Sequence, residues 1–131
     1  MDKKYFSRII ANDNEGLQVI SACCSGAEIK ISDIKYLEKS KVFLLSLKRS
    51  KIETAKKDKK VISICKFEFV DQVKSKNINQ NDPEQKLTLI GMDYLKKNNN
   101  YEISLIFKNN AYITLLTEII EVSLDDQNKI D

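Results

Sequence analysis

The sequence predicts an α+β protein: a mostly antiparallel sheet of about six to seven strands, with one N-terminal amphipathic helix packed on one face. Three observations carry this reading. A capped helical pattern occupies about residues 13–25. Period-two alternation of apolar and polar residues recurs through most of the rest. Short turn-forming segments separate the alternating runs at hairpin distance.

Tyr5-Phe6-Ser7-Arg8-Ile9-Ile10 opens the chain as a strand candidate. Asn12, Asp13 and Asn14 then offer side chains that cap free helix amides, and Glu15 stands three residues after Asn12, the spacing of a capping box. Leu17, Ile20 and Cys24 recur on one helical face, and Gly26 suits the left-handed position past the helix end. The period then changes from 3.6 to 2. Ile29, Ile31, Ile34 and Tyr36 alternate with polar residues, interrupted at Ser32-Asp33. Glu38-Lys39-Ser40-Lys41 is a four-residue turn into Val42–Leu47, so a hairpin is expected.

From Lys48 to Lys60 the chain is polar and basic. Such charge blocks repel and resist packing, so a mobile loop near 50–60 is expected. Val61–Val70 reads as a strand apolar on both faces at its start, continuing past Val73 towards Ile78. Asn77–Glu84 holds the single proline, Pro83, and a second mobile loop is placed near 77–85. Leu87–Leu95 resumes the alternation, with Gly91 marking a bulge. Tyr101–Phe107 follows, and Asn109-Asn110 is a two-residue turn of residues that tolerate positive φ.

After Ile113 and Leu115 the pattern divides. Leu116, Ile119, Ile120 and Leu124 fit a helix, while Ile120, Val122 and Leu124 fit a strand. The β-branched residues favour a strand with a bulge near 117–119. A helical 116–124 would instead indicate a PH-like split barrel with a C-terminal helix. The tail from Asp125 is expected to fray. All of this is read as one α+β domain over residues 1–131, long enough for a single sizeable core.

The apolar and charged fractions, 42% and 31%, are those of a globular chain. No apolar run approaches the roughly 18 residues of a membrane span, and no apolar segment backs the charged start Met1-Asp2-Lys3-Lys4. A cytoplasmic protein is expected. Three cysteines, Cys23, Cys24 and Cys65, lack the spacing of a disulfide framework or a metal site, and the chain has no histidine. They read as small hydrophobes. No cofactor or metal is expected.

The net charge of +3 rests on 20 Lys against 2 Arg, beside 11 Asn and 17 Ile. These are residues of A/T-rich codons, and the scarcity of Arg, the residue best suited to forked phosphate and base contacts, disfavours nucleic acid. The expected function is therefore a non-catalytic binding or scaffold module, with a protein partner or a second copy of itself. The alternatives are nucleic-acid or anionic-surface binding through the basic segment 48–60, or an enzyme working through carboxylates such as Asp33, Glu53, Asp93, Glu118 or Glu121 without a histidine base. No phosphate-binding, dinucleotide-binding or zinc-protease motif is present.

Arg49 is the candidate site residue. A lone Arg at a strand end in a Lys-rich chain suggests a forked contact that Lys does not reproduce. Glu53, four residues on, or Asp33 would supply its carboxylate, as an intramolecular clamp; otherwise Arg49 meets an anion or a partner.

The helix Glu15-Gly16-Leu17-Gln18-Val19-Ile20-Ser21-Ala22, the Asp33-Ile34-x-x-Leu37 step, Leu47-x-Arg49-x-x-x-Glu53 and Ile120-Glu121-Val122-x-Leu124-x-Asp126 together resemble a bacterial family, domain of unknown function 2948. The resemblance spans nearly the whole chain. It implies no activity, cofactor or substrate. The chain departs from the family where Leu-Gln-Asp usually follows the helix, here Cys24-Ser25-Gly26, and at Ser50 and Ile52, where Phe and Trp are usual.

Overall fold

The computed structural model describes residues 8–50 and 60–129, with the side chains of the last two strand residues left aside. Strand β1 (Arg8–Ala11) leads into helix α1 (Asn14–Cys24). Asp13 is the residue that caps it, its Oδ1 accepting from the Gly16 amide at 2.8 Å. Gly26, at φ +84°, takes the left-handed turn out of the helix. Strands β2 (Glu28–Lys30) and β3 (Ile34–Leu37) are one run interrupted by a 3₁₀ turn, Ile31–Asp33. Then come β4 (Val42–Ser50), β5 (Lys60–Phe67), β6 (Val70–Lys76), β7 (Lys86–Lys97), β8 (Asn100–Phe107), β9 (Ala111–Thr117) and β10 (Val122–Lys129).

The ten strands form one sheet in the order β1-β10-β5-β4-β2-β7-β8-β9-β6, with β3 paired to β4 beyond the end of β2. Every pairing is antiparallel. The fold class is thus the expected one, but the described residues form ten strands and not six to seven. Three runs account for the difference. The 3₁₀ turn divides the first, and the second divides at Glu68-Phe69. The third, around residues 113–124, divides at 118–121 into β9 and β10.

Phe69 sits at φ 59°, a conformation that disfavours a bulky side chain. Three backbone bonds hold that corner. The Glu68 amide donates to the Glu121 carbonyl, the Val70 amide to the Lys41 carbonyl, and the Glu118 amide to the Phe69 carbonyl. Because residues 116–124 are strand, turn and strand, the split-barrel alternative with a C-terminal helix is set aside. The segment expected to fray from Asp125 continues β10 to Lys129, because Asp125 and Asp126 pair with Ile64 and Ser63 of β5.

Inward side chains alternate along each strand. Phe43, Leu45 and Leu47 of β4, Cys65 and Phe67 of β5, and Ile103, Leu105 and Phe107 of β8 are all buried. Leu17, Ile20 and Cys24 of α1 press onto this face, and the helix touches β1, β4, β7 and β10. Gly16 and Gly91 allow this approach. A Cβ on Gly16 would stand 2.8 Å from the Cβ of Ala11, and one on Gly91 would stand 3.2 Å from Ser21 Oγ. Ser21 Oγ also accepts from the Met92 amide at 2.8 Å, and the β7–β8 register slips at Gly91 as a bulge.

Asn109 and Asn110 both take positive φ, as their turn chemistry predicts.

Candidate functional site

Among the described residues β3 pairs with β4 and β6 with β9, so β3 and β6 each have one side without a strand partner. A cleft of about 310 Å³ lies between them. Alternation aims Ile34 and Tyr36 of β3 into it from one side, and Val73 and Ser75 of β6 from the other. Phe43 and Ile113, each one strand further in, form its floor. Ile31, Ile78 and Gln80 complete the lining.

Both ends of the cleft are tied. At one end the Tyr36 hydroxyl donates to the Val70 carbonyl at 2.8 Å. Partial burial pushes the Tyr36 phenol up, and the charges of Glu38 and Asp71 add to the shift. At the other end the 77–85 connection crosses from β6 to the 3₁₀ turn. The Ile31 amide donates to the Gln85 carbonyl and the Ser32 amide to the Pro83 carbonyl, each at 3.0 Å. The Gln80 amide group donates to Ser75 Oγ at 3.0 Å, which leaves the Ser75 hydroxyl proton free to face a ligand.

A volume of this size, apolar walls and a few polar atoms are the features of a small-molecule site. The tyrosine is the one titratable group in the lining, so the cleft holds neither a carboxylate pair nor a nucleophile with a base. A second depression, on the outer sheet face, is polar. Glu28, Lys30, Asp33, Lys48 and Lys86 rim it around Ser46 and Ile62, and Lys30 is engaged by Glu84 at 3.4 Å. Among the described residues, no three His, Cys, Asp or Glu side chains are grouped to hold a metal ion, and no helix is long and apolar enough to cross a membrane.

Arg49 lies elsewhere, at the opposite end of β4 from the Glu38–Lys41 turn. It continues the inward face after Leu47 and is 1% exposed. Its Nη2 meets Asp126 Oδ1 at 2.9 Å, its Nε donates to Ser63 Oγ at 3.0 Å, and Ser63 Oγ donates to the same carboxylate oxygen at 2.7 Å. Three neighbouring strands, β4, β5 and β10, are thereby joined. The expected partner Asp33 does not belong to this cluster: it is exposed in the 3₁₀ turn, on the rim of the polar depression. Glu53 lies outside the described residues.

The sequence singles out Arg49 by its rarity, but not Asp126 and not the cleft. Asp126 had a signal, since it stands in phase with the buried Val122 and Leu124 at a spacing of two. Ile78, an apolar residue at the head of a polar connection, was the trace of the cleft. The three cysteines are buried and unbridged. Burial pushes the Cys65 thiol well up, and Cys24 and Asp125 add to the shift.

Among the described residues, fold and site define an antiparallel α+β protein with one α-helix, a lateral apolar cleft and a buried ionic tie. The chain belongs to the protein family of unknown function DUF2948, whose model matches residues 7–130. No curated protein and no solved structure matches the chain.

Proposed function

We propose that this protein is a non-catalytic binding module and that the cleft between β3 and β6 takes a small apolar molecule. The observation that supports this is the lining: seven of its nine residues are Ile, Tyr, Phe or Val, around about 310 Å³, roughly the volume of ten waters. The tied ends favour a compact ligand over a peptide running through. An apolar molecule gains by displacing water from such walls, while Ser75 and Gln80 orient one polar group.

Calorimetric titration with small apolar molecules tests the reading. Binding with a negative heat-capacity change is expected, and Ser75→Trp, which fills the cleft from an exposed position, should abolish it. Binding that survives Ser75→Trp, or no binding of any apolar molecule, overturns the assignment.

A further inference from the structure

The outer lips of the cleft are charged differently from its walls. On β3, Lys35 stands between the cleft residues Ile34 and Tyr36. On β6, Lys74 and Lys76 flank the cleft residue Ser75. Consecutive strand residues face opposite ways, so these three ammonium groups ride outside while their neighbours point inside. All three are exposed, and none makes an ion pair among the described residues. At the tied ends of the cleft, Glu38, whose charge reaches Tyr36, and Asp82 are exposed and off the two strands that carry the lysines. Asp71 of β6 is held by Lys41 at 2.9 Å, and Asp33 faces the separate polar depression. The cleft is thus an apolar slot with a positive rim on both sides.

We infer that its ligand is a single-chain amphiphile with an anionic head, of the class of a medium-chain carboxylate free in solution, whose chain enters between Ile34 and Val73 and whose head stays among Lys35, Lys74 and Lys76. This rests on the apolar-ligand reading above and deepens it. The occupant follows from charge and from size. An apolar chain alone leaves three lysines unused, and a cationic amphiphile would be repelled. The tied ends and the small volume admit one short chain and exclude a two-chain lipid held in a bilayer. Exposed lysines act as point charges beside a carboxylate, so each adds a modest, salt-dependent increment.

The test titrates the full chain with octanoate, 1-octanol and octyltrimethylammonium at low and moderate salt, and with vesicles rich in anionic lipid. Octanoate should bind about tenfold tighter than octanol at low salt, the ammonium compound weakest. Lys35→Glu combined with Lys74→Glu and Lys76→Glu should erase that preference and leave octanol binding unchanged. The same three positions changed to Gln should give an intermediate result, and a melting curve shows that each variant is folded. Equal affinity for octanoate and octanol overturns the anionic head while the apolar cleft stands. No binding of either overturns both. A preference that survives the triple Glu variant overturns the lysine assignment, as does capture by anionic vesicles without octanoate binding.

Discussion

Arg49 and Asp126 are 77 residues apart in sequence, yet Nη2 and Oδ1 meet at 2.9 Å with both side chains shut off from water. Ser63, between them on β5, bonds to each. An ion pair so placed recovers the cost of leaving water only through good geometry and further hydrogen bonds. Removing one partner takes this contact from a charge that stays buried.

Arg49→Ala and Asp126→Ala should therefore each lower the unfolding free energy by about 3–5 kcal/mol. Arg49→Lys should recover little, since a single ammonium does not reproduce the fork to Ser63 and Asp126. The double variant Arg49→Met with Asp126→Leu should be more stable than either alanine variant. Urea unfolding measures all four. A loss below about 1 kcal/mol for Arg49→Ala would show that the pair adds no stability.

Glycine to alanine inside a helix normally stabilises by about 1 kcal/mol. At Gly16 the opposite is expected, because the new methyl would meet the Cβ of Ala11 at 2.8 Å and its Cα at 2.9 Å. Gly91→Ala should also destabilise. The atom it meets, Ser21 Oγ, is not free to retreat without giving up the Met92 amide. Ser21→Ala alone should cost about 1–3 kcal/mol by stranding that buried amide. In the double variant the losses should be less than additive, since the oxygen that the methyl crowds is gone. Additive melts would disconnect the two residues.

The Cys65 thiol is held above its ordinary value by burial. Below the ordinary thiol value of about 8.5, folded and unfolded chains both keep the proton, so the thiol leaves stability independent of pH. As pH rises past that value the unfolded chain releases its proton while the folded chain retains it. The unfolded state then binds fewer protons, and stability falls. Cys65→Val should flatten this alkaline decline, seen as midpoint of unfolding against pH from 7 to 10. In the folded protein at pH 8, Cys65 should react with a thiol reagent only as fast as the chain unfolds. Immediate labelling of Cys65 would contradict its burial.

Much of the architecture was legible because it is local. The Asp13 cap, the Glu38–Lys41 turn, the Gly91 bulge and the left-handed Asn109 and Asn110 each leave a mark within a few residues. The division at Phe69 left none, since an aromatic at positive φ is imposed by backbone bonds to Lys41, Glu118 and Glu121 from distant turns. Polar Asp125-Asp126-Gln127 reads as a solvated end, because hydrophobic periodicity does not register a buried charge. Arg49 stood out by its rarity, but its partner on β10 did not. The cleft belongs to two strands, β3 and β6, that pair with different neighbours, so no single stretch of sequence contains it.

The place of β10 between β1 and β5 sets a timetable. Arg8–Ala11 has β10 as its strand partner, so β1 waits for Val122–Asp125 before it can join the sheet. Arg49 likewise waits for Asp126. During synthesis the hairpins β7–β8 and β8–β9 can close as soon as they emerge, because their partners are adjacent in the chain. The β3–β4 and β4–β5 pairs can form early as well, but the side of β5 that faces β10 stays open until β10 is made. A nascent chain halted before residue 122 would expose the free edge of β5, a form suited to recognition by chaperones rather than to folding.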